Sequence, residues 1–223
     1  MKNKLLIYIL TFIAIFSLVG CSCKKEKTVN KEDAIATLKD SMIKSNVMIT
    51  TTTTTNVNGK ESSSIQEDIY YGNKYYHKSD ANELSTKTWY GYVDDTLYAF
   101  YYTKNTNNDE TKTSSRISKE VLDSTKSQPN ATIKSLFNED GTLIENYDIV
   151  ATKKSKTYTI QITNNKTEES DTYTFTIKDN KVYKLVKTTS TSSNNIKVIY
   201  DYNYNVSDIE LPDINEYPLR TNN

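Results

Sequence analysis

Three groups of residues in this chain have types and spacings that could do chemistry. The first is a pair of cysteines, Cys21 and Cys23, directly after a long apolar run. A thiol there is a nucleophile to which an acyl or alkyl group can be attached. With two cysteines only, modification of one leaves no intramolecular disulfide framework. Cys21-Ser22-Cys23 by itself cannot form a structural zinc site, which needs four ligands. The second group is titratable. His77 is the single histidine, and hydrolytic chemistry of the Ser–His–Asp kind would need a nucleophile and an acid beside it. It lies among lysines and tyrosines on an expected strand, where an exposed side chain is the better expectation. The acid pairs Asp94-Asp95, Glu139-Asp140 and Glu168-Glu169 fall at turns, where solvated carboxylates are ordinary. No Gly-rich phosphate loop and no His/Cys cluster with metal spacing occurs. The sequence therefore assigns no catalytic residue, no metal and no cofactor, and the chain reads as non-enzymatic.

The third group is aromatic. The chain holds 18 Tyr, 5 Phe and 1 Trp. Trp89, Tyr98, Phe100, Tyr158, Tyr173, Phe175, Tyr200 and Tyr202 fall on alternating segments and are the candidate ligand-binding residues, for a cleft or a sugar-stacking surface. The competing role for such alternating aromatics, and the commoner one, is the inner face of a sheet.

The context of Cys21 is informative. Met1-Lys2-Asn3-Lys4 is a short positive patch, and Leu5 to Val19 is uncharged and apolar apart from Thr11 and Ser17. This is the layout of a secretory signal. The run is shorter than the ~20 apolar residues a spanning helix needs. It ends Leu18-Val19-Gly20-Cys21, which resembles the lipobox of bacterial lipoproteins. The resemblance implies lipid on the Cys21 thiol, cleavage between Gly20 and Cys21, and a location on the extracytoplasmic face of the cell membrane. Two or more acyl chains anchor stably where one is marginal. Residues 1–20 then form the signal peptide and residues 21–30 the lipidated cysteine and a lysine-rich tether. The membrane is the partner this motif implies.

Composition bounds the rest. The 28 basic residues balance the 28 acidic ones, and loss of Lys2 and Lys4 with the leader leaves a formal charge of −2. No clustered basic face is evident, so nucleic acid is not an expected partner. Tyr and Thr favour strands, and Tyr suits half-buried positions with the ring inward and the hydroxyl wet. About 200 residues after the leader suffice for one domain, taken as residues 31–217, with 218–223 as a polar, mobile tail.

The elements that must position these residues are legible in part. Asn30 with Asp33 three residues on predicts a capped helix start, with Ile35, Leu38 and Met42 on one stripe to Ser45. Strands follow through residues 47–57, 65–71, 74–78, 86–93 and 97–103, joined by turns at Asn58-Gly59, Gly72-Asn73 and Asp94-Asp95. Lys104 to Arg116 reads as a polar loop. A helical insert follows, with Ile117, Val121 and Leu122 and then Ile133, Leu136 and Phe137, ending at Asp140-Gly141. Strands return through residues 147–151, 158–162, 173–177, 182–188 and 196–204. The expected fold is α+β, mainly β: a curved antiparallel sheet or incomplete β-barrel of about ten strands, wrapped around an N-terminal helix and a central helical insert.

That order closes on Tyr200-Asp201-Tyr202-Asn203 and Ile209-Glu210-Leu211-Pro212. Together they resemble the LolA-like superfamily, whose members include lipoprotein carriers and lipid-carrying lipoproteins. The resemblance implies an apolar cavity between sheet and helices and a lipid-like, apolar or amphipathic ligand. Many strand positions here are Thr, Ser or Tyr, which fits a smaller or wetter cleft equally well. A different role is a sensor or an interaction protein that binds another envelope protein through the sheet or the insert. An envelope hydrolase would need a convergent pair of perturbed carboxylates.

Overall fold

The computed structural model describes residues 25–220, apart from 82, 127 and 166–168. Twelve strands form one antiparallel sheet, curved and open. Six belong to a first meander: β2 (Val47–Val57), β3 (Lys60–Tyr71), β4 (Lys74–Ala81), β5 (Leu84–Val93), β6 (Thr96–Asn105) and β7 (Glu110–Arg116). Five belong to a second: β8 (Tyr147–Lys154), β9 (Thr157–Asn165), β10 (Glu169–Lys178), β11 (Lys181–Thr191) and β12 (Asn194–Asn203). The meanders join where β12 pairs with β2, and β1 (Lys27–Val29) adds beyond β8. The two ends of the sheet, β1 and β7, do not pair with each other, so the barrel stays incomplete.

Turn chemistry sets the registers. Asn58 and Gly59 have φ of 50° and 79°, and Asp179 and Asn180 have 49° and 55°. Positive φ at both central residues gives the turn that matches strand twist. The hairpins accordingly close at Val57↔Lys60 and Lys178↔Lys181. Gly72, at φ 55°, opens the turn that closes at Tyr71↔Lys74.

Helices lie on the concave face. Helix α1 (Lys31–Asp40) begins as its sequence predicts. The Asp33 amide donates to Asn30 Oδ1 at 2.7 Å and Asn30 Nδ2 donates to Asp33 Oδ2 at 3.0 Å. Its buried stripe is Ala34 and Leu38 rather than Ile35, Leu38 and Met42, and the helix ends at Asp40 rather than at Ser45. Ile35 is half-buried instead, beside Gly141 and Leu143 at the groove between α1 and the insert. The insert forms α2 (Lys119–Lys126), a 3-10 turn at Gln128–Asn130 and α3 (Ala131–Lys134). Leu122, Ile133 and Leu136 are buried, whereas Val121 is 45% exposed. Lys39 Nζ donates to the Gly141 carbonyl at 2.5 Å, tying α1 to the end of the insert. These helices cover a core of Ile49, Ile160, Ile162, Phe175, Ile177 and Leu185 from the concave face.

Three segments differ from their expected form. The polar stretch from Lys104 to Arg116 is the end of β6 and all of β7. β7 lacks an apolar alternation; its ladder with β6 and its burial at Ser114 hold it. The C-terminal segment does not end at residue 217 as a free tail. Ser114 N donates to the Pro218 carbonyl and Arg220 N to the Ser114 carbonyl, each at 2.9 Å. This segment straps the convex face, with Tyr217 edge-on to Phe100 at 5.6 Å and to Trp89 at 6.3 Å. Gly91 makes room for it: a Cβ there would lie 2.7 Å from Leu211 Cδ1. Finally, the tether is shorter than expected, because Lys27–Val29 already pairs with β8. With β1 and β7 added, the strands number twelve rather than about ten.

Candidate functional site

Opposed residues of an antiparallel ladder share a face, so the registers assign every aromatic candidate to a side. Tyr202 opposes Ile49, Tyr200 opposes both Thr51 and Leu185, and Leu185 opposes Phe175. Tyr173 opposes Ile162, and Ile177 opposes Tyr158. These five candidates therefore lie on the concave face. Trp89 opposes Phe100, and Tyr98 alternates with Phe100 on the same side of β6, which is the convex face under the C-terminal strap. The eight residues do not line one cleft. Phe175 is wholly buried and Tyr173 is 5% exposed, both as core. Tyr158 borders a groove beside α1, with Lys153 Nζ 4.3 Å from its ring centre. Trp89 borders a convex groove with Tyr76, 5.3 Å away, and residues 205–210. Gly20 and Cys21 lie outside the described residues.

Tyr200 and Tyr202 meet in a shared pocket. It is a half-open cleft of about 310 Å³ between the concave face of β12, β2 and β3 and the start of α3. Its sheet walls are Ile49, Thr51, Thr53, Gln66, Asp68, Tyr70, Val198, Tyr200 and Tyr202, and its helical wall is Gln128, Pro129, Ala131 and Thr132. Asn130 fixes that helical wall. It accepts from the Ile43 amide at 2.8 Å and donates to the Ile43 carbonyl at 2.9 Å. A side-chain amide replacing a strand-like partner in this way pins the insert to the segment after α1. Tyr200 and Thr132 face each other across the cleft.

Beyond the helices the concave face turns hydroxylic. Thr51, Gln66, Ser79, Thr86, Thr103 and Thr111 form one row across β2 to β7. Beside that row lies a polar cluster that sequence reasoning missed. Tyr75 donates its hydroxyl to Asp68 Oδ1 at 2.5 Å, and His77 Nδ1 lies 2.8 Å from the same oxygen. Tyr70 and Tyr90 flank Tyr75, with ring centres 4.9 and 5.3 Å away. The signal for this cluster was present. A two-residue turn at Gly72-Asn73 sets Tyr71 against Lys74, which in turn sets Asp68 against His77.

Burial pushes the Tyr70, Tyr200 and Tyr202 phenols above their ordinary pKa, so their hydroxyls stay neutral. The Asp68 charge adds to the rise at Tyr70 and Tyr75. The cleft thus offers neutral hydroxyls, ring faces, amides and one carboxylate. Asp68 and His77 supply an acid–imidazole pair. Among the described residues no group of three His, Cys, Asp or Glu could hold a metal ion, and no helix is long and apolar enough to cross a membrane.

No family model matches the chain. No curated protein matches it either. Among solved structures, it is similar to the 1.75 Å crystal structure of a DUF1329 family protein from Desulfovibrio piger ATCC 29098. The identity is 9% over 79% of this chain and 92% of that one, with a TM-score of 0.30.

Proposed function

We propose that this protein is an extracytoplasmic, membrane-tethered binding lipoprotein that holds a small amphipathic ligand in the concave-face cleft and performs no catalysis. The cleft carries this reading. Its lining is apolar at Ile49 and Val198 and carries hydroxyls and an amide at Thr51, Thr53, Gln66 and Thr132. Small pockets with an apolar lining and a few placed polar groups are the usual form of ligand sites. A lining this polar favours a ligand with one polar end over a pair of bare acyl chains.

The signal-like leader and Leu18-Val19-Gly20-Cys21 support the tether. Cys21 lies six positions before the first strand at Lys27. That length reaches at most ~20 Å, so a lipid on Cys21 would hold the domain against the headgroups. Cys21→Ser is expected to move the protein from the membrane pellet to the soluble fraction and to remove the lipid mass from its N-terminal peptide. A Cys21→Ser protein that stays in the pellet, or a wild-type peptide without acyl mass, would contradict the tether.

A further inference from the structure

The concave-face cleft has a chemical bias that its amphipathic character alone does not specify. Of the residues lining it, one is charged, and that one is Asp68. Its carboxylate is poorly solvated, the side chain being 17% exposed. Both hydrogen bonds it receives from the described residues end on Oδ1, which leaves the Oδ2 lone pairs for a ligand. Three tyrosine rings, Tyr70, Tyr200 and Tyr202, stand in the same lining. A ring face is the negative end of an aromatic quadrupole and attracts cations. No lysine or arginine lines the cleft to oppose one. Lys187, which opposes Val198 on the concave face, lies over the Tyr173 ring at 5.4 Å and 3.9 Å from Asp171.

We propose that this cleft recognises a small organic cation, an alkylated ammonium group, with Asp68 as its counter-ion and the tyrosine rings as its walls. The inference rests on the ligand-binding reading above and assigns the polar end of that ligand. An anionic head, a carboxylate or a phosphate, would meet the Asp68 charge in a site of lowered dielectric and be rejected.

The probes are choline and its uncharged carbon isostere, 3,3-dimethylbutan-1-ol, titrated calorimetrically into the full-length lipidated protein in nanodiscs, with protein-free nanodiscs subtracted. Choline is expected to bind at least ~10-fold more tightly than the isostere, since a desolvated cation–π contact and one counter-ion together reach that size. Asp68→Asn keeps an Oδ1 acceptor for Tyr75 and His77 but removes the charge, and is expected to abolish the preference with the melting temperature held. Gln66→Glu adds a second carboxylate to the lining and is expected to tighten choline binding. Equal binding of the two probes, or an Asp68→Asn protein that retains the preference, would overturn the cation assignment. Equal binding that is lost in both when Thr51→Trp fills the cleft would leave the cleft reading standing. Failure of both probes would likewise overturn the cation assignment, and the cleft reading would then rest on what co-purifies with the protein.

Discussion

Above about pH 10, this protein is expected to lose stability at a rate that approaches ~4 kcal/mol per pH unit, and to unfold cooperatively in strong alkali. The cause is buried phenol. Tyr70, Tyr75 and Tyr202 are 8%, 7% and 7% exposed, and burial raises the pKa of each. In the unfolded chain a tyrosine titrates near 10. Between that value and the raised folded pKa, the unfolded state binds fewer protons than the folded one. Stability then falls as pH rises, by ~1.4 kcal/mol per unit for each such group. The contribution is fully present below the unfolded pKa and is lost on the alkaline side. Tyr204, pushed up to about 12, adds to the early part of the same window, discounted for its partial exposure. Three such groups over two pH units remove ~8 kcal/mol, which is comparable with the ~5–15 kcal/mol a domain holds. Tyrosinate absorbance and far-ultraviolet circular dichroism, followed together, check this. Coincident, steep transitions are expected. Gradual ionisation of every tyrosine near pH 10 with the sheet intact would contradict the burial.

Phe175→Ala is expected to destabilise the protein by ~3–5 kcal/mol, the range for emptying a buried aromatic site. Phe175 is wholly buried and opposes Leu185 on β11 and Ile160 on β9, both themselves at 0% exposure. Three neighbouring strands meet at that side chain, so relaxation into the void is restricted. For a domain of this size the shift in melting temperature is roughly 10 °C. Tyr183→Ala serves as the contrast. Tyr183 is 42% exposed, next to the β-bulge of the β10–β11 pair, and its loss is expected to cost under about 1 kcal/mol. Urea unfolding of both variants measures the difference. A Phe175→Ala protein within about 1 kcal/mol of wild type would contradict the core assignment.

Where the sequence carried a physical signal, the fold could be read from it. The Asn30–Asp33 cap, the paired positive-φ turns and the alternation on β2, β6, β9, β10 and β12 each state a local constraint that the tertiary structure keeps. β7 was illegible because Glu110-Thr111-Lys112-Thr113-Ser114-Ser115-Arg116 has no apolar residue. Its strand form depends on the ladder with β6 and on the strap, both non-local. The strap itself could not be foreseen, since it is irregular chain held by Tyr217, Leu211 and two backbone bonds to Ser114. The same strap explains why the aromatic candidates divide. Alternation places Trp89, Tyr98 and Phe100 on one side of their strands and Tyr200 and Tyr202 on one side of theirs. Only the hairpin registers reveal that these are opposite faces of one sheet. Asp68 and His77 were within reach of the sequence, because the Gly72-Asn73 turn alone aligns them. The cleft was not, since its helical wall depends on Asn130 reaching back to Ile43 across 87 residues.

The most direct test of a ligand-binding lipoprotein is native mass spectrometry of the full-length protein released from membranes, with organic extraction of what co-purifies. The account predicts one small amphipathic molecule per protein, bearing an ammonium group, and its loss in a Thr51→Trp variant that fills the cleft. A clean apo mass that stays clean after incubation with membrane lipids and choline would contradict it.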